Sequence, residues 1–277
     1  MKKDRTNLIL VLIFIIGLSV MLYPTVSDYW NSRTQSRAVA TYNETVESMS
    51  EEDYEEMFQE AEAYNEALSQ VDMPFVNYDQ VEGYEDILDI SGTGIMGYVT
   101  IEKIRVELPI YHGTEDSVLQ IAAGHLQGSS LPIGGAGTHS VISAHRGLPS
   151  ARLFTELDEL EVGDTFTITV LDRQMTYQVD QIRIVEPQEI EELQIDPEKD
   201  YCTLMTCTPY GINSHRLLVR GVRIAGDAPV TYVPADADQV STTIVAIVIA
   251  ILLMVILLPV LAGIQRWLRR AAGRERE

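Results

Sequence analysis

Cys207 is the side chain of this sequence best suited to covalent chemistry. It ends a Thr- and Leu-rich run, Tyr201–Cys207, that reads as a strand. Pro209-Tyr210-Gly211 supplies a turn, and Ser214–Ile224 reads as the returning strand of a hairpin. The chain has only two cysteines. Cys202 and Cys207 lie five apart, so a strand separates their α-carbons by roughly 16 Å, whereas a disulfide tolerates about 7 Å. Cys202 alternates with Leu204 and reads as a buried small hydrophobe. Cys207 sits where side chains become accessible, and is either a second inert thiol or a reactive one.

A thiol of pKa about 8.5 is only a few per cent thiolate at neutral pH, yet that fraction is strongly nucleophilic. Acyl transfer by it also requires a proton donor for the leaving amine and a donor group for the oxyanion. Five histidines compete for the first role. His112 and His125 lie in Gly-containing loops and look structural. His139 shares a strand face with His145 and reads as positional. His215 neighbours Arg216 and should point to the opposite side of its strand. His145 ends an apolar strand and enters an Arg-Gly-Leu-Pro loop, the best place for an exposed imidazole. A guanidinium cannot deprotonate and offers a rigid fork of donors, which suits an oxyanion. Arg216, nine residues after Cys207 and across a tight turn, can lie beside the thiol. The alternative is an ordinary solvated arginine.

The compartment bears on the free cysteines. Residues 8–23 form an apolar run behind Lys2, Lys3 and Arg5, and residues 244–263 form a second, uncharged one ahead of five arginines. About 20 apolar residues span a hydrocarbon core, so the second run is expected to be a transmembrane helix. The first is short, and reads as an uncleaved anchor in preference to a signal peptide. Basic residues at both outer ends place both termini in the cytoplasm and everything between them outside. An unpaired exported cysteine is oxidised unless it is buried or kept for chemistry.

The net charge is −21 over 277 residues. Eight basic and three acidic residues lie in the tails, leaving 12 basic against 38 acidic between the apolar runs. That excess repels nucleic acid and anionic lipid and favours cationic partners. The expected organisation is a tail and anchor (1–23), a spacer, amphipathic helix and linker segment (24–90), a β-rich domain (91–226), a tether (227–243), a transmembrane helix (244–263) and a basic tail (264–277). Ser50-Glu51-Glu52-Asp53 is a capping box. The stripe Met57, Ala61, Tyr64, Leu68 and Val71 marks a helix that packs on its own domain. Asp72-Met73-Pro74-Phe75 ends it as an extended linker. From Gly97 onward, strands are expected at 98–101, 106–111, 139–144, 164–171, 175–185, 201–207 and 214–224, with short helices at 117–123 and 151–157. Short strands between Gly and Pro turns predict a sandwich or barrel.

Thr203-Leu204-Met205-Thr206-Cys207 followed by Arg216 resembles the signature of sortases, the cysteine transpeptidases of Gram-positive surfaces. Gly94–Tyr98, Leu108–Gly113, Ser140–Pro149 and Leu153–Asp158 are similar to class C sortases, and the resemblance covers roughly residues 45–225. It implies a closed eight-stranded β-barrel with Cys207 as nucleophile, His145 as general acid and base, and Arg216 as oxyanion stabiliser. It implies cleavage of a Leu-Pro-X-Thr-Gly-like sorting signal through a thioacyl intermediate, resolved by a lysine amine of a neighbouring pilin. Attachment of surface proteins to peptidoglycan is the alternative within enzymes, and a non-catalytic tethered adhesion protein the alternative outside them. Class C relatives carry an Asp-Pro-aromatic lid. Asp72 and Phe75 match its acid and ring, but Met73 intervenes, so the lid has a variant anchor or is weakened or absent. No zinc, EF-hand or phosphate-binding pattern is present, and cofactor-free chemistry is expected. Val233-Pro234-Ala235-Asp236 stands where a substrate's cleavage motif would, so the second apolar run reads as an anchor.

Overall fold

The computed structural model describes residues 2–224, with side chains from Leu12 onward, and beyond them Gly263 alone. The chain divides into two compact units, Met1–Tyr232 and Val233–Glu277. The expected tether, second apolar run and basic tail lie outside the described residues, save for Gly263, which is helical.

Eight strands close into a barrel: β1 (Ile95–Ile101), β2 (Val106–His112), β3 (Ala123–His125), β4 (Thr138–Ser143), β5 (Thr165–Val170), β6 (Arg173–Val185), β7 (Asp200–Thr208) and β8 (His215–Arg223). Their order is β1-β2-β3-β4-β7-β8-β6-β5. β2 with β3 and β4 with β7 are parallel, and the remaining pairs antiparallel. Alternation of inward apolar residues fills the interior; Leu204, Val219, Phe154 and Leu157 are fully buried. Phe166 stacks on Tyr177 at 5.6 Å. Both crowd Gly221, where an added Cβ would lie 2.7 Å from the Phe166 ring.

Seven of these strands fall where alternation predicts them. The eighth, Ala123–His125, is too short and too Gly-rich to show a period. The helix expected at 117–123 is a single turn, α4 (Asp116–Leu119). The one expected at 151–157 is instead a series of turns ending in a 3₁₀ turn at Leu157–Glu159. Leu153 adopts φ 42° there, which an α-helix excludes.

Residues 24–41, read as a polar spacer, are helical. One helix, α1 (Lys2–Glu47), runs unbroken through Pro24. Its C-terminal half is fixed to the barrel by Tyr42, 2% exposed. The Tyr42 hydroxyl donates to the Met96 carbonyl (3.1 Å) and accepts from the Leu171 amide (2.8 Å). Burial without a cation nearby raises the Tyr42 pKa well above its ordinary value. Helix α2 (Glu51–Ser69) starts at the expected capping box, with Ser50 and Asp53 bonding each other's backbone amides. Ala61, Tyr64 and Leu68 of the expected stripe are buried together with Phe58, so the helix packs on its own domain. Val71 lies beyond its end.

The segment after α2 is not extended. Met73 takes the left-handed conformation (φ 53°, ψ 62°), and Pro74 opens a short helical turn, α3 (Pro74–Asn77). Proline suits the first helical position because its missing N–H has no partner there. The residue before it, barred from the right-handed α region, reverses the chain into that turn.

Candidate active site

Cys207 and Arg216 face each other across the β7–β8 pair. Residues directly opposite in an antiparallel pair project to the same face with Cβ atoms about 5 Å apart, so the thiol and the guanidinium share one surface. Cys207 is half-buried, whereas Cys202 is fully buried, and desolvation pushes the Cys202 thiol well above its ordinary pKa. Among the described residues Arg216 has no carboxylate partner. Its guanidinium donates to two backbone carbonyls, His215 (3.2 Å) and Asn213 (3.4 Å). These hold the fork in place and leave its charge uncompensated.

β4 brings His145 to the same end of the barrel. The parallel β4–β7 register ends at Ser143 opposite Met205. Beyond it, the Ala144 amide donates to the Met205 carbonyl (3.1 Å), and the Thr206 hydroxyl donates to the Ala144 carbonyl (2.8 Å). The buried Thr206 thus rivets the residue before Cys207 to the residue before His145. The imidazole is 29% exposed, with Nε2 4.0 Å from Asp116 Oδ1 on α4.

The loop after His145 is tied to the loop after Cys207. Arg146 pairs with Asp158 at 2.5 Å and lies 5.9 Å from the centre of the Tyr210 ring. That ring also rests on Gly147, where a Cβ would meet it at 2.9 Å. The Gly147 amide donates to Thr155 Oγ1, and the His145 carbonyl accepts from the Phe154 amide.

Three of the other histidines are held inside the fold, as their surroundings suggest. His125 is enclosed by Tyr84, Ser129 and Ser130. His139 lies between the Gln194 carbonyl and the Thr203 hydroxyl. Burial depresses each imidazole to a pKa of about 4. His112 is held by the carbonyls of Ile87 and Gly94. His215 turns to Ser214.

A groove of about 340 Å³ runs from Arg216, Met205 and Leu218 to Leu126, Thr114 and Phe75. The Phe75 ring packs with Leu126 and Met205 on the buried cluster of Val141, Val185, Leu193 and Leu218. A larger cavity of about 780 Å³ lies on the other side of Phe75, walled in part by Glu62, Asp72 and the Gly134–Gly137 loop. Of the two residues expected to form a lid, Phe75 therefore reaches the groove and Asp72 does not. Asp72 is exposed, its carbonyl accepts from Asn77 Nδ2 (2.6 Å), and its carboxylate forms no ion pair among the described residues.

Asp116, Thr206 and Tyr210 are not singled out by the sequence. Thr206 was visible within the Thr-Leu-X-Thr-Cys motif, but the others carry no local signal, because their partners are distant in the chain. Among the described residues no group of His, Cys, Asp or Glu could hold a metal ion.

A sortase domain model matches residues 99–224. The crystal structure of sortase C1 from Streptococcus agalactiae is 49% identical, with a TM-score of 0.63, over 69% of this chain and all of that one. The chain belongs to the sortase family. A second solved sortase C, from Streptococcus pneumoniae, is 46% identical with a TM-score of 0.64, over 70% of this chain and all of that one. That structure bears on catalysis and on pilin substrate specificity in the pneumococcal enzyme. Sortase D of Bacillus subtilis (strain 168) is 30% identical over 131 residues, and the match spans 46% of this chain and 63% of that protein. The solved sortase C chains match over their full length, through the barrel, where the curated sortase D is covered for less than two thirds.

Proposed function

We propose that this protein is a membrane-anchored class C sortase that joins pilin subunits by isopeptide bonds. The observation that carries this reading is the facing pair Cys207 and Arg216, with the His145 strand riveted alongside through Thr206. The Cys207 thiolate attacks the Thr carbonyl carbon of a Leu-Pro-X-Thr-Gly-like signal, forming a C–S bond. The oxyanion so created meets the uncompensated Arg216 fork. The bond to the Gly nitrogen breaks as His145 delivers a proton to the departing amine. A pilin lysine amine then attacks the thioester. His145 takes up the proton, the C–S bond breaks, and the thiolate is regenerated beside a protonated His145, with a new amide formed.

The class C relatives and Phe75 in the groove wall favour pilin polymerisation over simple wall anchoring. Among the described residues, one helix, Leu12–Glu47, is long and apolar enough to cross a membrane. That supports an N-terminal anchor, with the barrel outside and both termini in the cytoplasm once the second apolar run is also inserted.

The test compares cell-wall extracts of the wild type and Cys207→Ala. Loss of a high-molecular-weight ladder of surface protein in the variant is expected. An unchanged ladder would refute pilin polymerisation. Loss of wall-linked monomers alone would favour attachment to peptidoglycan.

A further inference from the structure

The apolar run at residues 8–23 is 16 residues long, about 24 Å as helix, and a hydrocarbon core is about 30 Å thick. The structure supplies the missing length. Helix α1 continues past Tyr23 with Val26 and Trp30 exposed, 49% and 70%, in line with Tyr23 at 57%. These positions, three and four apart, extend the apolar surface of the run by seven residues, about 10 Å. Tyr23 and Trp30 are residue types that favour the water–hydrocarbon boundary. Arg33 and Arg37, the first cations after the run, follow within two turns.

The other face of the same turns is bound to the barrel. Asp28 Oδ1 accepts from the Arg152 amide (2.8 Å), Asn31 Nδ2 donates to the Ser150 carbonyl (2.8 Å), and Gln35 Nε2 donates to the Ile121 carbonyl (2.6 Å). Ser150 and Arg152 belong to the loop that begins at His145. Ile121, 48% exposed, follows α4, whose Asp116 approaches His145. The helix that leaves the apolar run is therefore docked beside the two segments that frame the imidazole, on the barrel end to which β7 carries Cys207.

We propose that the exposed face of α1 at Val26 and Trp30, together with the adjoining Pro149–Arg152 loop, rests in the headgroup layer of the bilayer that holds α1. The barrel end that carries His145 then faces the membrane surface, where a sorting signal belonging to a protein held in the same bilayer can reach it. The occupant is lipid, because the apolar face is continuous with the apolar run and no described part of the chain covers it. This rests on the reading of α1 as an anchor, and the experiment separates the two.

The full-length Cys207→Ala chain, with buried Cys202 left in place, is reconstituted in nanodiscs of phosphatidylcholine and phosphatidylglycerol. Nitroxides are placed through Val20→Cys, Trp30→Cys, Pro149→Cys or Glu198→Cys. Glu198 precedes β7 at the opposite end of the barrel. Collision with oxygen and with a water-soluble nickel chelate is then compared. The expected result is an oxygen-dominated Val20, and a nickel accessibility at Trp30 and Pro149 several-fold below that at Glu198. A lipid-buried Val20 with Pro149 as nickel-accessible as Glu198 would overturn the proposal and leave the anchor standing. A nickel-accessible Val20 would refute the anchor itself, and the proposal with it.

Discussion

Gly128 lies so close beneath Pro74 that a Cβ added to it would sit 2.7 Å from the Pro74 carbonyl oxygen and 2.9 Å from the α-carbon of Phe75. The segment that places the Phe75 ring in the groove is thus seated on a bare backbone. Gly128→Ala is expected to lift that segment and speed labelling of Cys207 by a small methanethiosulfonate several-fold, as Phe75→Ala should. Gly128 also has φ +94°, so the substitution strains the backbone irrespective of crowding. Gly83→Ala is the control, since Gly83 has φ +88° but only one atom nearby, at 3.8 Å. Equal labelling of the two alanine variants would show that the seat at Gly128 does not hold the lid.

Tyr210 spans the loops that follow Cys207 and His145, touching Gly147 with its ring and facing Arg146. The ring acts here through its face. Tyr210→Phe should therefore keep turnover near wild type. Tyr210→Ala releases the loop that follows His145 and should lower kcat about tenfold, equivalent to about 1.4 kcal/mol of barrier. KM for a sorting-signal peptide should change little. A fall in KM-linked affinity with kcat preserved would assign Tyr210 to substrate contact instead of loop positioning.

Acid should destabilise the barrel through His125 and His139. Each is held near pKa 4 in the folded chain by burial and titrates near 6.5 when unfolded. The unfolded chain therefore binds more protons between those values. Stability is full above about pH 6.5, falls by about 1.4 kcal/mol per pH unit for each histidine as the pH drops, and stops falling below about pH 4. Denaturant unfolding of the detergent-solubilised chain between pH 6.5 and 5 measures the slope. His139→Gln, which can still bond both neighbours, should roughly halve that slope, and an unchanged slope would exclude His139 from it.

Much of this was legible because local rules agree with the fold. Period-two alternation marks the long strands, the Ser50–Asp53 capping box starts α2 where it should, and the spacing of Cys207 and Arg216 across Pro-Tyr-Gly already implies their pairing. What was hidden depends on contacts remote in sequence. The polar composition of residues 24–41 reads as a solvated spacer, yet Asp28, Asn31 and Gln35 find backbone partners on the barrel 86 to 124 residues away and keep the helix intact. Met73 reads as an insertion in a lid motif. Its left-handed conformation is what lets Pro74 start a helical turn and present Phe75. The partner of the lid carboxylate is a further case. The resemblance implies an acid near the thiol, whereas Asp72 points into the larger cavity wall.

Arg216 gives the sharpest test of the chemistry, because little else depends on it. Among the described residues its guanidinium holds only the carbonyls of Asn213 and His215, neither of which is deeply buried, so replacing it should change stability by less than about 0.5 kcal/mol. An oxyanion donor is worth about 10²–10³ in kcat. Arg216→Lys keeps the charge but loses the planar fork, and a compact ammonium cannot hold two carbonyls and a developing oxyanion in one plane. Turnover of a sorting-signal peptide by Arg216→Lys should therefore fall by at least about tenfold, and by Arg216→Ala by about 10²–10³. Labelling of Cys207 and the unfolding midpoint should stay near wild type in both. Full activity in the alanine variant would remove the guanidinium from the reaction and leave stabilisation of the tetrahedral intermediate to backbone amides.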